Sequence, residues 1–156
     1  MGIASSPAIK LRQRTGYAEI ASSMPYNSDG LVILVSADAL GEGAMVVERL
    51  LGDSARAGVV LRASKVLSTS YWMGENYALI TNSANEVCRL LDSIPVQFIV
   101  VDINGFLQEN TRMHHRLLEE AIKNKPAQFR LFGDFPLYTN GHRQNAAGGP
   151  ASSGWI

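Results

Sequence analysis

Two short apolar runs, LVILV from Leu31 and VQFIVV ending at Val101, restrict most strongly what this chain can fold into. Both are rich in β-branched residues, and neither shows the polar alternation of a strand with one wet face. Such runs read as strands buried on both faces, the pattern of a parallel sheet between layers of helix. Around them the apolar spacing turns helical. Ala44, Val47, Leu50 and Leu51 share one face of a segment that begins near Gly43 and stops at Gly52. Asn82 or Ser83 is placed to cap a second helix, with Glu86 in its first turn, a stripe of Val87, Leu90, Leu91 and Ile94, and Pro95 as its end. Asn110 or Thr111 caps a third, whose Met113, Leu117, Leu118, Ala121 and Ile122 line up before about Lys123.

Residues 59–62 and 77–80 read as further short strands, and 64–70 as either a helical turn or a loop. Residues 128–132 and 137–138 could close the sheet as a strand or hairpin around Gly133-Asp134. Alternating strands and helices predict an α/β fold, a three-layer sandwich with a mainly parallel sheet, Rossmann-like or flavodoxin-like. A length of 156 residues with 46% apolar content suits one core. The expected organisation is an irregular arm over 1–30 with a short ordered piece near Tyr17 to Ile20, a single domain over 31–138, and a disordered tail over 139–156 rich in Gly, Ala, Ser and Asn.

Fourteen basic side chains balance fourteen acidic ones, so global charge gives no reason to expect nucleic acid or an anionic membrane as partner. Cys88 is the only cysteine, which excludes an internal disulfide and a multi-cysteine zinc site. No window approaches the roughly 18 apolar residues of a membrane-crossing helix, and a soluble domain is expected.

In parallel sheets ligands collect at the carboxyl ends of strands. Ser36 and Asp38 follow the first strand, and Gly41-Glu42-Gly43 opens the helix after it. A helix start attracts anions and glycine permits close approach, yet Asp38 and Glu42 are themselves anionic and no complete GxGxxG or GxxxxGK[ST] pattern is present. Asp38 serves equally well as a cap. Asp102 and Asp134 also follow expected strands, so with Asp38 they could hold Mg²⁺ for phosphoryl chemistry, or simply form turns. Arg62, Lys65, Tyr71, Trp72 and Tyr77 crowd one stretch, where cations and aromatic faces could take a phosphate and a sugar ring, or pack at a solvated rim. His114 and His115 are adjacent on a helix and point about 100° apart, which does not suit one shared metal; a surface place is expected. No Ser-His-Asp arrangement and no GxSxG elbow can be picked out.

The segments ILVSADALGEGAMVVERL, VLRASKVLSTSYWMGENYALI and IPVQFIVVD resemble the soluble C-terminal domain of polytopic membrane glycosyltransferases, and related membrane proteins, of the dolichyl-phosphate-mannose mannosyltransferase type. The resemblance covers roughly residues 31–102 and rests on Ser36, Asp38, Gly41, Glu42, Gly43, Arg62, Ser64, Lys65, Trp72, Gly74 and Tyr77. It implies an accessory domain on the extracytoplasmic side of a bacterial membrane, whose partner is the membrane-embedded remainder of the same polypeptide. The catalytic acids of such transferases lie in a loop between early membrane helices that this sequence does not match, so the domain is not expected to be catalytic alone. It would recognise a sugar or a polyprenyl-phosphate-linked substrate, without a cofactor, through Ser36, Asp38, Gly41, Glu42, Arg62, Lys65, Trp72 and Tyr77. Arg62 and Lys65 would meet phosphate, Trp72 would stack on the sugar, and Asp38 or Glu42 would accept hydroxyl hydrogen bonds. The residues by themselves also allow a Mg²⁺-dependent phosphoryl-transfer or hydrolase domain built on Asp38, Asp102 and Asp134, or a structural or protein-interaction module.

Overall fold

The computed structural model describes residues 16–24, 30–51, 58–71, 75–102, 113–133 and 136–144. The first apolar run forms β1 (Leu31–Ser36) and the second forms β5 (Phe98–Val101), and they lie side by side in parallel. Between them come α2 (Ala39–Leu51), β2 (Gly58–Arg62), α3 (Ala63–Val66), β3 (Ser68–Thr69), β4 (Ala78–Leu79) and α4 (Ala84–Ser93). After β5 follow α5 (Met113–Asn124), β6 (Phe129–Leu131), β7 (Leu137–Asn140) and α6 (Gly141–Gln144). The main sheet has the order β2-β1-β5-β7-β6, with a parallel centre of β2, β1 and β5 and an antiparallel β6–β7 hairpin on the β5 side.

Burial follows from the strand period of two. Ile33, Val35, Phe98 and Val100 pack on one face against α1 (Tyr17–Ser23) and α2; Leu34, Ile99 and Val101 pack on the other against α3, α4 and α5. Both apolar runs are thus covered on both faces, as an α/β three-layer sandwich requires. The start of α4 is held as its sequence predicts: Ser83 Oγ accepts from Glu86 N at 3.3 Å, and Glu86 Oε2 accepts from Asn82 N at 2.7 Å.

Several expectations shift. The short ordered piece expected near Tyr17 to Ile20 is α1, extended to Ser23, because Tyr17, Ile20, Ala21 and Met24 recur at helical spacing and are all buried. Residues 139–144, read as the start of a disordered tail, complete β7 and form α6. Asn140 anchors them: it is fully buried, its N–H donates to Gln97 O and its Nδ2 donates to Val96 O. The strand expected at 77–80 does form at Ala78–Leu79, but it pairs with β3 in a separate two-stranded sheet. The core face of α2 is also rotated from the expected stripe. Val47 is 50% exposed, while Glu42, Met45 and Arg49 turn inward. Apolar periodicity misses this face because two of its members are charged. Asn110, Thr111, Trp72, Gly74 and Asp134 lie outside the described residues. Among the described residues no helix is long and apolar enough to cross a membrane.

Candidate functional site

From β1 the chain moves to β2 on one side and later returns to β5 on the other, so strand order reverses between β1 and β5. The carboxyl ends of these two strands are where a sheet of this kind opens a crevice. They are tied together by Asp102 N donating to Ser36 O at 2.9 Å. Polar side chains gather beneath this point. Ser36 and Asp102 are almost fully buried, as is His115 of α5.

Ser36 Oγ lies 2.8 Å from His115 Nδ1, and His115 Nε2 lies 3.5 Å from Glu119 Oε1 one turn further along α5. A carboxylate only accepts, so Nε2 carries the ring proton and Nδ1 accepts from the Ser36 hydroxyl. Burial pushes the His115 pKa below its ordinary value, while the charges of Glu119 and Asp102 act against that shift. On the other face the Tyr17 hydroxyl donates to Asp102 Oδ2 at 2.5 Å and joins α1 to the end of β5. The order hydroxyl, imidazole, carboxylate is that of a nucleophilic relay, but a serine with no solvent exposure acts here as a stitch between β1 and α5.

A second cluster is centred on Glu42, which has no solvent exposure. Its Oε1 accepts from Ser64 N at 3.0 Å, and its Oε2 accepts from Ser64 Oγ at 2.5 Å and from Arg62 Nε at 3.0 Å. Further along, Ser68 Oγ donates to Ser64 O. Tyr77 OH accepts from His114 N at 3.0 Å and sits 2.9 Å from His114 Nδ1. His114 and His115 were expected at the surface; instead both are buried, because the start of α5 lies under the strand ends, where Tyr77, Ser68 and Ser36 meet the two rings. Nothing local in the sequence marks these partners.

The expected ligand-contacting set therefore divides. Ser36 and Glu42 are enclosed, with their polar atoms used inside the protein. Asp38 is half-buried and its Oδ1 accepts from Gly41 N at 2.7 Å, the cap that its position before α2 allows. Gly41 is buried where the chain has no room for a side chain: an added Cβ would lie 2.7 Å from Ala37 Cβ and collide with the Tyr17 hydroxyl. Arg62 keeps 39% of its side chain exposed, and Lys65 is exposed, with Nζ within 3.3 Å of Ser70 O. Tyr77 is half-buried against His114. Asp38 and Asp102 follow neighbouring strands, but among the described residues no three His, Cys, Asp or Glu groups come together to hold a metal. Among the described residues, Asp38 after β1, Arg62 at the end of β2 and Lys65 in α3 keep part or all of their side chains exposed on this side of the sheet. Comparison of the chain with protein-family models, with curated proteins and with solved structures returned no match.

Proposed function

We propose that the chain is an accessory recognition domain of a membrane glycosyltransferase-like protein. It sits on the extracytoplasmic side of a bacterial membrane beside the membrane-embedded remainder of the same polypeptide, and it takes a sugar phosphate or polyprenyl-phosphate-linked sugar at the carboxyl edge of its sheet. The observation that carries this reading is the reversal of strand order between β1 and β5, with Asp38, Arg62 and Lys65 at the rim of that edge. The resemblance over residues 31–102 supports the choice of ligand.

In this reading Arg62 and Lys65 receive the phosphate, and Asp38 accepts from sugar hydroxyls. Glu42 does not touch the ligand; it grips Arg62 Nε and so fixes the direction of the guanidinium. Trp72 supplies the stacking face. Bond-making is left to the rest of the polypeptide, and this domain contributes orientation.

The test is a titration of the isotopically labelled chain with mannose 1-phosphate and with mannose, followed by amide chemical shifts. Arg62→Ala is expected to weaken the phosphorylated sugar by about tenfold and the neutral sugar hardly at all, since it removes one charge-assisted contact. Equal losses for both, or no shifts around Asp38 and Arg62–Lys65, would reject the reading.

A further inference from the structure

The main sheet ends in β2 on one side and β6 on the other, and the two edges are guarded differently. An edge strand presents a row of N–H and C=O groups to any strand that comes alongside, and short length, charge, proline or a covering segment blunts it. β6 is three residues long with exposed Arg130 at its centre, so it is blunted twice. β2 runs for five residues, Gly58 to Arg62, without a proline, and its one charge stands at the last position. Among the described residues no strand pairs with its outer side, and Val59 is 53% exposed.

The order of side chains along β2 suits antiparallel pairing with itself. With a two-fold axis at Val60, Val59 lies opposite the partner's Leu61, and the reverse pair repeats across the axis. Val59 and Leu61 share a face by the strand period of two, so each exposed valine gains an apolar neighbour. Val60 meets the partner's Val60, and Arg62 falls opposite the partner's Gly58, where no side chain competes for space. The two arginines stand at opposite ends of the pair, and each is turned to its own chain by Nε donating to Glu42 Oε2 at 3.0 Å. Moving the axis to Leu61 or to Val59 would leave Val59 or Leu61 opposite a residue outside the strand, so the register centred on Val60 is the one that uses both. Equal numbers of acidic and basic side chains, fourteen each, give no net charge to hold two copies apart.

We infer that two copies of this chain associate through β2, in antiparallel pairing centred on Val60, so that their five-stranded sheets run on into one. Five residues make a contact about 17 Å long, small against the about 1,200–2,000 Å² of a stable interface, so the association depends on concentration. It does not rest on the carboxyl-edge reading: the pairing uses the backbone of β2, and that reading uses the side chains of Asp38, Arg62 and Lys65.

Sedimentation velocity of the full chain from about 10 μM to about 1 mM tests it, together with amide hydrogen exchange at both ends of that range. The expected result is a monomer–dimer equilibrium in which amides within 58–62 exchange more slowly as the dimer fills. Val59→Lys, which sets a charge opposite an apolar side chain, is expected to raise the dissociation constant about tenfold or more, and Leu131→Lys, at a residue 58% exposed on the other edge strand, to leave it unchanged. Thermal melting of the dilute Val59→Lys chain separates lost pairing from lost folding, and exchange in the parent decides the matter if that variant does not fold. A chain that stays monomeric throughout, a dimer whose 58–62 amides exchange no more slowly, or a dimer weakened by Leu131→Lys and not by Val59→Lys overturns the inference. None of these outcomes bears on the titration with mannose 1-phosphate, which tests the carboxyl edge in the dilute chain.

Discussion

Removing the Glu42 carboxylate is the most informative single perturbation, because one side chain with no solvent exposure satisfies three donors from β2 and α3. In Glu42→Ala the Ser64 amide and hydroxyl, on a residue only 3% exposed, lose their acceptor. A buried donor left unmade costs about 1–3 kcal/mol, and truncation adds a small cavity. Arg62 offsets part of this, since its side chain is 39% exposed and water can take over its Nε. The sum is about 3 kcal/mol, a large fraction of the about 5–15 kcal/mol that holds a domain together. In a chain of this size it corresponds to a drop in Tm of about 6–12 °C. Glu42→Gln keeps an acceptor for Ser64 N but turns an amide NH₂ toward a guanidinium N–H, and is expected to cost about 1–2 kcal/mol. Ser64→Ala should cost less in the Glu42→Ala background than alone, because the two residues share their bonds. Urea unfolding followed by circular dichroism measures all of these. A Glu42→Ala chain within about 0.5 kcal/mol of the parent, or a Gln variant worse than the Ala variant, refutes the reasoning.

Other consequences are equally direct. His115 has its pKa lowered by burial, so between its folded value and about 6.5 the unfolded chain binds a proton that the folded chain refuses; this part of the stability is complete above that window and is lost as pH falls through it. Urea midpoints from about pH 7 downward should therefore fall less steeply in His115→Gln, and an unchanged slope would contradict the assignment. Gly41→Ala is expected to cost about 1–3 kcal/mol by forcing Tyr17 off Asp102 and crowding Ala37, and less in a Tyr17→Phe background, which relieves only the first collision, as thermal melting will show; equal costs would mean that the Tyr17 hydroxyl carries no part of the strain. Cys88 is 1% exposed and burial raises its thiol pKa, with the charge of Lys125 acting in the opposite direction. Alkylation of the native chain by iodoacetamide should run about a hundredfold or more below that of the urea-unfolded chain, and a comparable rate would show the thiol to be accessible.

The parts of this fold that were legible in the sequence are those written in local periodicity. LVILV and VQFIVV predict strands covered on both faces, and β1 and β5 are such strands, with alternate residues in the two cores. Ser83 and Glu86 predict a helix start that forms as expected. The same reading failed on α2, where Glu42 and Arg49 occupy core-facing positions that no apolar pattern marks, and on Asn140, whose order comes from hydrogen bonds to Val96 and Gln97 across the sheet.

For the candidate site, the sequence indicated positions after strands but not the contacts their side chains make. Aspartate and serine after strands pointed to the carboxyl edge, and Asp38, Arg62 and Lys65 stand at its rim. Which polar groups are consumed inside was decided elsewhere. Ser36 meets a histidine 79 residues away, and Tyr17 meets an aspartate 85 residues away. Sequence alone determined which backbone segments must be buried, because the hydrophobic effect is non-directional and is encoded one residue at a time. Only the tertiary structure decided strand order, and with it the partners that make buried Glu42, Asp102, His114 and His115 tolerable, because a desolvated polar group is stabilised by a specific neighbour whose identity lies far along the chain.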